Sequence, residues 1–122
     1  MARHVVFVYG TLRKGSWNHG FMRGARFLGA GRTAGKYALY VERIPFVDKD
    51  QPVSRIRGEV YEVDDTVLAA LDELEGHPHE YRREQVAVEL DSGETVTAWL
   101  YFHPAPAGEL VESGDFMAAG RG

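Results

Sequence analysis

Apolar residues run almost without interruption from His4 to Tyr9, the pattern of a strand buried on both faces. The run stops at Gly10-Thr11-Leu12-Arg13-Lys14-Gly15, a loop bounded by glycines. Trp17–Met22 reads as a short helical turn, weakened by Gly20. Between Arg26 and Val47, glycine and proline divide the β-type stretches Phe27-Leu28, Lys36–Val41 and Ile44–Val47. Ile56–Val63 is a further strand, entered from a loop over Lys49–Ser54.

Asp64–Glu75 is the one convincing helix. Asp64 or Asp65 can cap its start, Val67, Leu68, Leu71 and Leu74 form an apolar stripe, and Gly76 with Pro78 ends it. Val86, Val88 and Leu90 then alternate with polar or small residues. Asp91-Ser92-Gly93 is a three-residue hairpin loop with glycine last. In the returning strand, Thr95–Phe102, one face carries Val96, Ala98, Leu100 and Phe102 and the other Thr97, Trp99 and Tyr101. Beyond Pro104 and Pro106 the tail is polar, with Leu110, Val111 and Phe116 its only core candidates.

Many short strands and one sizeable helix predict an α+β domain with a curved, partly closed sheet. The pattern argues against a doubly wound fold, because only one sizeable helix is available to cross over between strands. The 122 residues suit one domain spanning 1–122, with no repeat and no second unit. There is no cysteine, hence no disulfide, thiolate metal site or cysteine nucleophile. Val5-Val6-Phe7-Val8 is too short for a leader or a membrane span, so a soluble cytoplasmic protein without membrane association is expected.

Charge changes the picture locally. The net charge of −4 argues against a general nucleic-acid binder. Yet residues 1–36 carry seven basic side chains and no carboxylate, and seven of the 14 glycines lie between Gly10 and Gly35. That third of the chain is either backbone approaching an anion or a solvated basic face above turns.

Glu75 is the first candidate for chemistry. At about 100° per residue it follows Leu71 by one turn and Leu68 by two, so it falls within the apolar stripe. Asp72 sits at the stripe's edge and Glu73 points away. Glu75 also occupies the last turn, where the helix dipole disfavours negative charge. Partial desolvation there raises a carboxylate's pKa towards the value a proton shuttle needs near neutral pH. The alternatives are an ion pair with Arg82 or Arg83, or fraying into water.

The second candidate is the turn Tyr9-Gly10-Thr11-Leu12, whose successive N–H groups can form an anion nest with the Thr11 hydroxyl beside them. It has neither the spacing of a Walker loop nor a dinucleotide fingerprint, and a plain turn is the competing reading. His77-Pro78-His79-Glu80 gathers two imidazoles and a carboxylate without the remaining ligands of a metal site, so no metal and no cofactor are expected. Ser16, Ser54, Ser92 and Ser113 lie outside any nucleophile elbow. Tyr37, Tyr40 and Arg43 lack the signature of a nucleic-acid module.

Three stretches together carry a resemblance: Val8-Tyr9-Gly10-Thr11-Leu12-Arg13-Lys14-Gly15, Leu71-Asp72-Glu73-Leu74-Glu75-Gly76 and Tyr81-Arg82-Arg83. In order and spacing the chain resembles the gamma-glutamylcyclotransferase-like family, nearest its short members, which include gamma-glutamylamine cyclotransferase and related bacterial and archaeal proteins. Ser113-Gly114-Asp115-Phe116 also resembles the short microbial members. The resemblance implies a small mixed β-barrel with one main helix, short flanking helices and a cavity at the barrel mouth. It also implies that Tyr9, Gly10, Thr11 and Leu12 hold a glutamyl group, that Glu75 is the catalytic acid/base, and that Tyr81 lines the pocket.

Such a substrate contains its own nucleophile and electrophile. The α-amine closes on the γ-carbonyl to give 5-oxoproline and a free amine, and proximity alone supplies on the order of 7–11 kcal/mol in favourable cases. The protein must add a base, an acid and oxyanion donors, with Arg13 and Lys14 expected nearby. Two other readings compete: a non-catalytic module binding a small anionic, glutamyl-like metabolite, and a nucleic-acid-associated protein. Glu75 disfavours the first and the acidic balance the second. The pattern sets no oligomeric state and does not name the leaving group.

Overall fold

The structure, a computed structural model, describes residues 2–105 and 107–118. Met1, Pro106 and residues 119–122, which the sequence reading placed at the ends of the domain and in the polar tail, lie outside them. Among the described residues seven strands are formed: β1 (Arg3–Val8), β2 (Arg26–Val41), β3 (Pro45–Asp48), β4 (Ser54–Asp64), β5 (Arg82–Leu90), β6 (Thr95–Phe102) and β7 (Glu109–Leu110). One helix, α1 (Asp65–Glu75), follows β4, and a 3-10 turn spans His19–Met22.

The strands close on themselves. Their order is β2-β4-β1-β6-β5, and β5 returns to β2 through Gly31–Thr33, making a five-stranded barrel. The β1–β6 pairing is parallel and its other neighbours are antiparallel, so the barrel is mixed. The short strands β3 and β7 attach to the far end of β2.

β2 corrects the sequence reading. Phe27-Leu28 and Lys36–Val41 are two parts of one 16-residue strand. Glycine bends this strand without ending it: the register against β4 shifts between Phe27 and Gly29 and again between Arg32 and Lys36. At Gly31 a β-carbon would stand 2.4 Å from the Glu89 carbonyl oxygen, so the seam with β5 closes only over a bare backbone. The neighbouring strand starts at Pro45, and Ile44 stays exposed.

Two apolar clusters explain the continuous run at the start of the chain. Phe7 and Tyr9 point into the barrel with Leu39, Val41, Ile56, Val60, Leu100 and Phe116. Val6 and Val8 point outward and pack with Tyr61, Val63, Leu68, Leu71 and Tyr101 beneath α1. β1 is therefore buried on both faces, as its pattern requires. The faces of β6 divide as read: Ala98, Leu100 and Phe102 inward, Trp99 and Tyr101 outward.

α1 is capped by Asp64, whose carboxylate accepts the Val67 N–H at 2.9 Å, and it ends at Gly76. Leu68 and Leu71 are buried, whereas Leu74 is 38% exposed. The apolar stripe thus runs off the core in the last turn, where Glu75 lies. No helix among the described residues is long and apolar enough to cross a membrane.

Candidate active site

A cavity of about 210 Å³ opens where the end of β1 meets the end of α1. Tyr9, Gly10, Thr11 and Leu12 form one side, Leu74, Glu75, Glu80 and Tyr81 the other, with Asn18, Ile44, Pro45 and Tyr101 between them. All six residues singled out from the sequence thus line one space, though 63 positions separate Leu12 from Glu75.

The turn is fixed through its carbonyls. Gly10 O accepts the Arg13 N–H at 3.0 Å, and Thr11 O accepts the Asn18 N–H at 3.0 Å. Among the described residues, the N–H groups of Gly10, Thr11 and Leu12 enter none of these loop hydrogen bonds as donors. Asn18 Nδ2 donates to Thr11 Oγ1 at 3.0 Å, which leaves the Thr11 hydroxyl proton for another acceptor. Gly10 is required for a reason the sequence did not disclose. Its backbone avoids the left-handed region, but a β-carbon there would lie 2.2 Å from Pro45 Cγ. The need is for space, and the wall pressing on it is β3.

Tyrosines make up much of the remaining lining. The Tyr9 hydroxyl donates to the Tyr101 carbonyl at 2.7 Å, and the Tyr81 hydroxyl to the Pro45 carbonyl at 2.8 Å. Burial is the largest cause that raises the phenols of Tyr9, Tyr81 and Tyr101; the charge of Glu75 adds to each, and at Tyr101 the hydrogen bond to Asp72 adds more. They stay neutral donors at any physiological pH.

Glu75 has no such partner: its carboxylate enters no hydrogen bond or ion pair among the described residues. Burial, with a smaller contribution from Glu80, pushes its pKa from 4.5 to about 7. The ion pair weighed as its alternative goes elsewhere. Arg83 clamps Asp72, Nε to Oδ1 at 2.8 Å and Nη2 to Oδ2 at 3.1 Å, and the Tyr101 hydroxyl donates to the same Oδ1 at 2.6 Å.

Arg13 and Lys14 do not line the cavity: Arg13 turns inward to Asp115 at 2.8 Å, and the Lys14 ammonium sits 3.7 Å over the Phe27 ring. Of the histidines weighed for a metal, His77 accepts the Arg83 N–H through Nδ1 at 3.2 Å. No group of three metal-ligating side chains gathers among the described residues.

The architecture has close counterparts. The description "Gamma-glutamyl cyclotransferase, AIG2-like" matches residues 6–118. A Methanocaldococcus jannaschii protein whose gamma-glutamylcyclotransferase name is provisional is 54% identical over 112 residues, covering 91% of this chain and 93% of its own. The chain belongs to the gamma-glutamyl cyclotransferase, AIG2-like family. The Escherichia coli gamma-glutamylcyclotransferase family protein YtfP is 33% identical across 92% of this chain and 95% of its own. Among solved structures, an AIG2-like protein from Mus musculus superposes with a TM-score of 0.83 at 30% identity, covering 94% of this chain and 90% of that one. An uncharacterised Pyrococcus horikoshii protein gives 0.77 at 35% identity, covering 95% and 92%. The small barrel with one helix is this family's fold.

Sequence reasoning missed Asn18, Pro45, Glu80 and Tyr101 in the cavity. Tyr101 stood on the outward face of β6, but nothing in its spacing pointed to the end of β1. Pro45 read as punctuation, and only the pairing of β3 with β2 carries it against Gly10.

Proposed function

We propose that the protein is a gamma-glutamyl cyclotransferase in which Glu75 is the general acid/base and the Tyr9–Leu12 turn binds the glutamyl group. The observation that carries this reading is the placement of a partly desolvated carboxylate, without a hydrogen bond or ion pair among the described residues, across one small cavity from three backbone N–H groups that donate in none of the loop hydrogen bonds among those residues. The substrate is a gamma-glutamyl amine, amino acid or peptide, and no cofactor enters the chemistry.

Ionised Glu75 takes a proton from the substrate's α-ammonium, freeing the amine to attack the γ-carbonyl carbon. Charge builds on the carbonyl oxygen, where backbone N–H groups and the Thr11 hydroxyl are the available donors. The same donors suit the substrate's α-carboxylate. Protonated Glu75 then delivers its proton to the departing nitrogen as the C–N bond breaks. The lactam nitrogen's surplus proton ends on the released amine through solvent, so 5-oxoproline and an ammonium leave with charge conserved. A carboxylate with pKa about 7 suits both roles, since neither form is strongly favoured near neutral pH.

Incubation with a panel of gamma-glutamyl amines, amino acids and peptides, read out as 5-oxoproline release, tests the reading. Turnover of none of them by the wild-type protein counts against it. Gly10→Ala then probes the turn. With a β-carbon 2.2 Å from Pro45 Cγ, either the turn or β3 shifts, and stability falls by roughly 1–3 kcal/mol. KM is expected to rise. A KM unchanged in the folded variant disconnects the turn from the substrate.

A further inference from the structure

Arg13 follows the turn directly and is 9% exposed, an unusual place for a guanidinium. Its Nη1 donates to Asp115 Oδ1 at 2.8 Å, and its Nε stands 3.8 Å from Glu59 Oε2. The next residue is held by the same acid: the Lys14 N–H donates to Glu59 Oε1 at 3.0 Å, and the Tyr61 hydroxyl donates to that oxygen at 2.9 Å. The exit of the turn is thus anchored to the middle of β4 and to the segment after β7.

That segment is itself firmly seated. Phe116 is fully buried inside the barrel, and the Gly114 carbonyl accepts the Arg57 N–H of β4 at 2.9 Å. Asp115 Oδ1 also accepts the Met117 N–H at 3.0 Å and the Ala118 N–H at 3.3 Å. Burial alone would raise this carboxyl, but Arg13 and those N–H groups outweigh it and hold it below its ordinary value. None of Arg13, Glu59 and Asp115 lines the cavity. A buried ionic cluster in a small barrel brings little net stability over apolar packing, but it does specify geometry.

We propose that Arg13 is a positioning residue that sets the Tyr9–Leu12 turn for substrate, with Asp115 and Glu59 as its anchors and the Gly114–Ala118 segment as the latch. Cutting the latch lets the turn drift, and a small displacement of a binding turn is costly even when the severed contact lies outside the cavity. This rests on the proposed cyclotransferase reading for its kinetic consequence, but not for its structural one.

The test is Asp115→Asn, with Asp115→Glu as the conservative partner. The side chain of Asp115 is 28% exposed, so a neutral isostere there is compatible with folding. Against whichever gamma-glutamyl compound is turned over, Asp115→Asn should raise KM roughly tenfold and change kcat less than about twofold. Asp115→Glu, which keeps the charge, should recover part of that loss. Amide exchange gives an arm independent of activity. The N–H groups of Arg13, Ser16 and Asn18, which close the turn, should exchange roughly tenfold faster in Asp115→Asn while β1 amides do not change. A wild-type KM in Asp115→Asn, or turn amides exchanging at the wild-type rate, overturns the latch. If no gamma-glutamyl compound is turned over, the exchange result still decides it.

Discussion

Asp72 and Glu75 lie three residues apart on α1, and the two sides of that helix end treat a carboxylate in opposite ways. On the β5–β6 side, burial would raise Asp72, but Arg83 and the Tyr101 hydroxyl outweigh it and hold the group below its ordinary value. On the cavity side, burial acts on Glu75 without any cation to oppose it, and Glu80 adds to the rise. The same residue class therefore serves as an anchor in one place and, in the proposed mechanism, as a proton carrier in the other. Burial is common to both, and what separates them is the partner. Position in the last turns does not by itself set the direction, because Asp72 in the same last turns is lowered by its partners.

Exchanging each acid for its amide should break the comparison most sharply. Glu75→Gln keeps the shape and removes the proton, so turnover should fall on the order of 10³-fold while ligand binding persists. Asp72→Asn should retain kcat within several-fold, because the group faces Arg83 and Tyr101 and not the cavity. Its loss should appear in stability instead, by roughly 1–3 kcal/mol, since Arg83 loses an ionised partner. Parallel kinetics and thermal unfolding of the two variants check this. Equal losses of turnover would mean that the two carboxylates act as one unit.

The next effect is on stability against pH, where the signs differ. Glu75 has a folded pKa above its unfolded one. Its relative contribution to stability is full below 4.5 and is lost as pH rises through about 7. Glu75→Gln escapes that loss, so it should be more stable than wild type at pH 8 by roughly 2–3 kcal/mol, with the gap closing near pH 5. Asp72 is lowered, so its contribution is present above the ordinary aspartate range and is lost as pH falls below it. Asp72→Asn should therefore be the less stable protein at pH 8 and approach wild type in acid. Unfolding midpoints measured from pH 2 to pH 8 would show two curves of opposite slope, that of Glu75 above pH 4.5 and that of Asp72 in the acid below it. Parallel curves would remove the contrast between the sites.

Part of this contrast was legible in the chain. The 3.6-residue period put Glu75 on the stripe of Leu68 and Leu71, and the run Val5–Val8 marked a strand covered on both faces. The partner of Arg83 was not legible. Asp72 and Glu75 both lie within reach of that stretch in sequence, and only the fold, which sets Arg83 at the start of β5 against Asp72, chooses between them. Arg13 misled for a similar reason. A cation beside an anion-binding turn reads as part of it, whereas the tail that claims it arrives 102 residues later. The glycines of β2 misled locally, since strand-ending and strand-bending glycines look alike until the barrel closes over Gly31.

The smallest expected effect isolates the second cause of the Glu75 rise. Glu80 lines the cavity, but its side chain enters no hydrogen bond or ion pair among the described residues. The groups that act on Glu75 are therefore burial and this one carboxylate, with the neutral phenols of Tyr9, Tyr81 and Tyr101 as neighbours. In the pH profile of kcat/KM, which reports the free enzyme, activity should fall in acid with a midpoint near 7 as Glu75 takes up its proton. Glu80→Gln removes a like charge and makes ionisation of Glu75 easier, so the limb should move towards acid. It should stay well above 4.5, because burial is the larger cause and is left in place. A limb that does not move would assign the whole rise to burial. A limb that drops to 4.5 would make the repulsion between the two acids, and not the dry wall of the cavity, the origin of the contrast with Asp72.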